Sequence, residues 1–444
     1  MAAPHDREAG FHRSPYRDLS FRLPYRNSVF RAAVLSWRSR RLIIQKVPRS
    51  VRDGLDKERR YFVPDVVAIG PYHHGSEQLS VMEEVKEAVV QEFCRSAMES
   101  TRGSAVVPFL EAVRPVVPEA RLCYVDSFDG ITDHDFANMM VVDGCFILAV
   151  VAILTDDYPD ELEHYSWTHG TMLRILKDIL QFENQIPWAV LRALMALRPV
   201  RVDKFVAKIL AYLDIHSREP RFDGTPWYDL NPVHLLDLVH QRHLGGPAPA
   251  ADGGIRYCDF APPLVRFTSA VELAEAGIRI HGSGTSRVSD VRVEPGAVIG
   301  RLALPQLALS WLPRCWLINM VALECVTYRN DGRSGVSSHF AILGSLIRAE
   351  RDVQELRSRG ILFSTMSDRR TVEFFEGLLD TLPRQELYPR MLEAIVQLRS
   401  RRSTRSSLHG VYYRNRRIVL AAAPLLGFLV AVFGIALNNA FKNK

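Results

Sequence analysis

Twenty consecutive uncharged residues, Ile418 to Leu437 (IVLAAAPLLGFLVAVFGIAL), constrain this chain more than any other stretch. A hydrocarbon layer about 30 Å thick is crossed by roughly 20 residues at a rise of about 1.5 Å, and an α-helix satisfies its own backbone there. Twelve of the twenty are Leu, Ile, Val or Phe. At roughly −0.3 to −0.6 kcal/mol each, they favour insertion by about 4 to 7 kcal/mol. Pro424 and two glycines weaken this preference without reversing it. Only Asn438 to Lys444 follow, so the expectation is a tail anchor: one C-terminal transmembrane helix over 418–437 and a short tail over 438–444.

The net charge of +6 conceals an asymmetry. Residues 1–50 carry eleven Arg/Lys against three Asp/Glu, and residues 395–417 carry seven Arg and no acid, which leaves the body between them acidic. A basic balance usually suggests nucleic acid, but positive charge confined to two ends, with no aromatic-basic stripe through the body, argues against it. We read 1–42 as a basic, poorly ordered arm and 396–417 as a basic juxtamembrane neck lying on anionic lipid. Seven arginines before the span and two lysines after it place the N-terminal side in the cytosol. The arm also has the Arg- and Ser-containing character of a transit peptide, which is a second reading of the same residues.

Six cysteines (Cys94, Cys123, Cys145, Cys258, Cys315 and Cys325) are scattered without a C-x-x-C pair, so neither a metal knuckle nor a redox dithiol motif is expected. No Asn-x-Ser/Thr acceptor occurs, in keeping with a cytosolic body.

Along the chain, Tyr61 to Gly75 reads as an extended apolar segment closed by a turn, because Pro and Gly bracket it. Ser80 with Glu83 predicts the start of a helix whose face carries Val85, Val89 and Phe93. Met139 to Leu154 is apolar apart from Asp143, yet too short for a span, so a helix buried in the body with Asp133 as cap is expected. Residues 172–194 hold helical spacing interrupted by Phe182-Glu183-Asn184-Gln185-Ile186-Pro187. Pro187 has no N–H and pushes Ile186 out of helical angles. The expectation is therefore a buried helix-turn-helix corner whose freed backbone groups are met by Asn184 and Gln185. A helix capped by Asn231 and Pro232 should reach His243, before a linker at about 245–256. Ser269 and Glu272 predict a capping box closed by Gly277, and 288–304 a small β-hairpin around Glu294-Pro295-Gly296-Ala297. Helical patterning then runs to Leu398.

Eight stretches, taken in order, resemble a known plant family. They are Lys46-Val47-Pro48, Val66 to Gly75, Met140 to Leu148, Asp178 to Pro187, His234 to Leu238, Glu272 to Gly277, Leu304-Pro305-x-Leu307 and Asn319-x-x-Ala322-x-Glu324. Together with the final span they resemble the family called domain of unknown function 247, over about residues 43 to 437. The resemblance implies a plant protein, mostly helical and membrane-anchored, without an established catalytic activity; some grass members of that family are associated with pollen-side self-incompatibility recognition. It makes 43–395 one body.

The residues that stand out as possible site residues are Gly70, Pro71, His73, His74, Asp143, Glu183, Asn184, Gln185, Pro187 and Glu324. His73 and His74 are adjacent and point to opposite faces, which makes a poor chelate. His234, His240 and His243 lack a completing carboxylate or thiol in sequence, so surface or core histidines, and not ligands, are expected. Asp143 and Glu183 are acids in apolar surroundings, suited either to a structural polar network or to acid catalysis. No P-loop, G-x-G-x-x-G, G-x-S-x-G or H-E-x-x-H occurs, and we assign no catalytic, cofactor-binding or metal residue. The fold class expected is mainly α, a helical body with a small β-hairpin and one C-terminal transmembrane helix. The function expected is a non-enzymatic recognition protein acting on an unidentified protein partner at a membrane. The alternatives are a membrane-tethered enzyme using Asp143, Glu183 or His73, and a nucleic-acid-binding regulator. Ala423, Gly427 and Ala431 recur at four-residue spacing and would permit close self-association in the membrane.

Overall fold

Helix α5, Asp133–Leu154, is apolar on every side and becomes the axis of the fold. The computed structural model describes residues 44–55, 61–97, 104–157, 167–214, 230–244, 269–284, 292–294, 300–327 and 335–382, with Pro424, Phe428, Ala431 and Val432. The expected arm, the linker at 245–256, the neck, the helix Leu387 to Leu398, Cys258 and most of 418–437 lie outside these residues.

Among the described residues, four α-helices precede α5: α1 Arg49–Leu55, α2 Ser80–Ser96, α3 Val107–Val113 and α4 Val117–Leu122. Helices α6 His169–Asp178, α7 Trp188–Met195, α8 Val202–Leu213, α9 Leu235–Leu244 and α10 Ala270–Glu275 follow it. Helices α3 and α4 each carry a proline in the first turn, where no intrahelical N–H is needed. Helices α2, α3, α4, α7 and α8 all pack on α5. The expected buried helix is present: Phe136, Met140, Phe146 and Val150 are fully buried within it, and it is the one described helix long and apolar enough to cross a membrane.

A second layer is built on α11, Trp311–Thr327, which packs against α1, α6, α9 and α12, Gly335–Leu346. Helix α12 in turn packs on α14, Asp368–Leu379, beside α13, Glu350–Ser358. Strands β1 Ile278–Gly282, β2 Arg292–Glu294 and β3 Gly300–Leu304 form a sheet in the order β1-β3-β2, with β1 parallel and β2 antiparallel to β3. The β2/β3 pair is the expected hairpin. Strands β4 Leu307–Leu309 and β5 Leu362–Ser364 form a second, parallel pair. The molecule is mainly helical, as expected, with more parallel pairing than a lone hairpin supplies.

Several helix starts differ from expectation. A 3-10 turn, Glu77–Leu79, precedes α2, so Ser80 is already helical, and its hydroxyl donates to Glu77 O instead of capping. Thr132, not Asp133, caps α5 by accepting from Asp135 N. Asn231 sits at φ 43° and α9 begins only at Leu235, with Asp237 reaching back to Val233 N. The Ser269/Glu272 capping box and a left-handed Gly277 (φ 79°) are present as expected.

Close approach of α5 to α7 depends on Gly144, where a Cβ would stand 2.3 Å from Leu194 Cδ1 and 3.3 Å from Ile186 Cδ1. Gly144→Val should therefore overpack this contact and lower stability by about 1–3 kcal/mol, read as a lower urea midpoint; an unchanged midpoint would show that the two helices are not so tightly apposed.

Candidate functional site

Residues 61–70 bury irregular backbone that belongs to no helix or ladder. Each such N–H or C=O costs about 1–3 kcal/mol when left unpaired. Side chains from distant parts of the chain meet the demand. Asp178, the last residue of α6, accepts from Asp65 N at 3.0 Å, Val66 N at 2.7 Å and Val67 N at 3.0 Å. Asn184 accepts from Ile69 N at 2.7 Å and donates to Val67 O at 3.0 Å. Asp143, halfway along α5, accepts from Gly70 N at 2.7 Å. Lys86 of α2 donates to Ala68 O at 2.8 Å and to Asp143 at 2.6 Å. Gln181 and Lys177 donate to Val63 O at 2.9 and 3.2 Å, and Asn319 of α11 donates to Tyr61 O at 2.9 Å.

The corner between α6 and α7 is closed by the same residues. Asn184 donates to Asp178 O at 3.0 Å, while Gln185 Nε2 reaches Ile179 O and Gln181 O, both at 2.8 Å. Gln185 Oε1 accepts from Leu236 N at 3.0 Å, which ties the corner to α9. Asn319 Oδ1 accepts from Phe182 N at 2.8 Å. Pro187 is the extended residue before α7 (φ −61°, ψ 139°), and the next amide, Trp188 N, donates to Val233 O at 2.7 Å. This is the expected corner, held as expected by Asn184 and Gln185.

The turn at 70–75 lies against this corner. Gly70 has φ 72°, and a Cβ there would stand 2.6 Å from Gln185 O, so both conformation and space exclude a side chain. Pro71 is buried beside it. Glu183 accepts from Val47 N and from the Arg52 guanidinium, and His73 Nε2 lies 3.8 Å from its second oxygen, beyond hydrogen-bond length. Burial, with Lys46 and Arg52 nearby, lowers His73 to about 4. His74 is exposed. Asp143 thus fixes the turn at Gly70, while Glu183 beside it holds Val47 and Arg52; each carboxylate is only 2% exposed.

Glu324 belongs to a separate site. Its oxygens accept from Val336 N at 2.9 Å and Ser337 N at 2.7 Å at the start of α12, where unpaired N–H groups favour an anion. His240 Nε2 stands 2.7 Å from the same carboxylate. His234, His240, His243 and His339 are all buried, and burial lowers His234 to about 4, His243 to about 3 and His339 to about 4. All four are core histidines, which decides between the surface and core positions that the sequence left open for the first three. No group of three or more His, Cys, Asp or Glu among the described residues is arranged to hold a metal.

Sequence reasoning did not single out Lys86, Asp178 or Asn319. Lys86 carried a usable signal, since it lies on the apolar face of α2 with Met82, Val89, Val90 and Phe93, and a lysine in such a stripe needs a buried anion. Burial alone would depress its ammonium, but Asp143 and Glu83 outweigh it and hold Lys86 above the usual lysine value. Asp178 and Asn319 stood inside the quoted motifs, but their partners lie far away in sequence.

Residues 44–434 match the model of the family DUF247, described as plant protein of unknown function. The chain is similar to UPF0481 protein At3g47200 of Arabidopsis thaliana, 25% identical over 341 residues covering 71% of this chain and 68% of the relative. It is also similar to a second Arabidopsis thaliana UPF0481 protein, At3g02645, 22% identical over 409 residues covering 71% of this chain and 74% of the relative. No solved structure matches.

Two measurements test this site. Asp143→Ala strands a buried ammonium and frees Gly70 N, and should cost about 3–5 kcal/mol. Lys86→Met combined with Asp143→Asn should be less destabilised than Asp143→Asn alone, by urea unfolding; additive losses would mean that the two charges do not interact. The buried histidines set a pH dependence. The unfolded chain binds more protons below pH 6.5, so each of the lowered histidines, His73, His234, His243 and His339, makes stability rise with pH between about 4 and 6.5, by up to about 1.4 kcal/mol per unit. Asp178, pushed by burial up to about 6, acts in the opposite sense between its ordinary value and 6 and cancels one of them. The thermal midpoint should fall steadily on acidification through this window, less steeply in His243→Gln; a flat profile contradicts the burial of these rings.

Proposed function

Because the chain belongs to the DUF247 family, a plant family of unknown function, we propose that it is a membrane-anchored recognition protein acting through protein–protein contacts. The observation that carries this reading is how the family's motif residues are used. Asp143, Glu183, Asn184, Gln185 and Glu324 direct their polar atoms at backbone groups or at a partnered charge, and each is at most 2% exposed. A general acid or base must come within about 2.6–3.2 Å of a substrate proton, and an acid enclosed in this way suits holding a fold. The motifs therefore build a rigid scaffold, and recognition falls to the acidic surface of the body.

Anchoring falls to residues 418–437. The internal apolar helix α5 is 78% buried over its most apolar window, so the body already covers it. Within 418–437, by contrast, Phe428 and Val432 are helical and 67% and 47% exposed, and exposed large apolar side chains in a 20-residue uncharged run favour a lipid environment. The arginine-rich neck lies on anionic headgroups, with the body on the cytosolic side. Ala423, Gly427 and Ala431 offer a small-residue face to a second copy.

The full-length protein should stay in membrane pellets through alkaline carbonate, whereas a chain lacking 418–437 should be released. Proximity labelling from the anchored protein should then mark a reproducible set of cytosol-facing proteins. Release of the full-length chain by carbonate overturns the anchored reading.

A further inference from the structure

Cys94, in the last turn of α2, faces Cys145 of α5 with 3.8 Å between the sulfurs. Both are fully buried. A disulfide needs about 2.05 Å between sulfurs, so the thiols are already within about 2 Å of bonding distance, carried by two helices that pack directly together. A cation is held on the neighbouring backbone. The Arg198 guanidinium lies 4.3 Å from the centre of the Phe93 ring and donates to Phe93 O at 3.3 Å and Ser96 Oγ at 2.6 Å, on the turn that carries Cys94. The thiolate is the attacking species in exchange, and Arg198 favours it at Cys145 against the larger, opposing effect of burial.

We propose that Cys94 and Cys145 are a reversible thiol/disulfide pair, oxidised by a small-molecule disulfide of the glutathione type, and that the bond staples α2 to α5. The Cys94 thiolate attacks one sulfur of the oxidant, forming a mixed disulfide and expelling one thiolate. The Cys145 thiolate then attacks Cys94 Sγ and expels the second. Two protein thiols lose two protons and two electrons, and the oxidant leaves as two thiols. The reagent enters where helices open most readily, at the end of α2, since terminal turns fray ahead of the core. Burial holds the Cys145 thiol well above its ordinary value, so the exchange is slow.

The same two helices carry Lys86 and Asp143. The staple therefore limits the separation of α2 from α5 and protects the clasp around residues 61–70.

The test uses the full-length protein in detergent, equilibrated with oxidised glutathione, then unfolded, alkylated and digested without reduction. The expected product is one linked peptide pair joining Cys94 to Cys145, lighter by two hydrogens than the separate peptides, reversed by dithiothreitol and absent in Cys94→Ala and in Cys145→Ala. Its formation should raise the thermal midpoint by roughly 5 °C. Cys123→Ala, which leaves both thiols in place, should retain the linked pair. Recovery of Cys94 and Cys145 fully alkylated after equilibration overturns the proposal, as does a stable mixed disulfide on one of them or pairing with another cysteine. These outcomes are read on the wild-type protein and do not depend on how well the alanine variants fold.

Discussion

Irregular backbone can be buried only if every N–H and C=O finds a partner, and residues 61–70 meet that condition almost entirely through side chains. Helix α2 supplies Lys86, α5 supplies Asp143, the α6/α7 corner supplies Asp178 and Asn184, and α11 supplies Asn319. A segment without regular structure is thereby the place where both layers of the fold meet. Removing any one side chain leaves a buried polar group behind, which is the costly side of hydrogen-bond energetics. A buried network of this kind specifies one arrangement of its helices, because most of its groups lose their partners in any other.

That network explains why α5 carries a charge at all. Sixteen residues from Met139 to Leu154 with one carboxylate look like a defective membrane span when read alone. Inside the body, Asp143 sits opposite Lys86, and its second oxygen holds Gly70 N. Two buried charges recover their desolvation cost only with good geometry and further hydrogen bonds, and both conditions are met here. The apolar character of α5 therefore answers to the protein interior, which covers 78% of its most apolar window.

What the sequence made legible followed local chemistry. The corner at 182–187 was readable because Pro187 breaks a helical repeat and amide side chains sit beside the break. The box at Ser269/Glu272 was readable because both partners lie within one turn. Buried α5 was readable from length and composition. Long-range pairing was not, because no local pattern announces that Asn319 donates to Tyr61 O or that Asp178 gathers three amides from a segment more than a hundred residues earlier. Helix starts failed where a neighbouring residue competed: Thr132 outdid Asp133, and a 3-10 turn took the place where Ser80 was expected to cap. Cysteine spacing gave no hint of Cys94 and Cys145, since the two meet only because α2 packs along α5.

The site's chemistry also bears on what kind of function the family's motifs can support. Eight ordered motifs that converged on an open cleft would indicate a shared reaction. Here the turn at Gly70 is closed by Asp143 and Asn184, the corner at Gln185 is closed by Leu236 N and by Tyr124 at 3.0 Å, and the start of α12 is closed by Glu324. These motif residues end on backbone, on another motif or on a buried side chain such as Lys86 or His240. Residues of this sort fix a scaffold, and a scaffold can carry many unrelated activities, so these motifs account for the fold without naming a reaction.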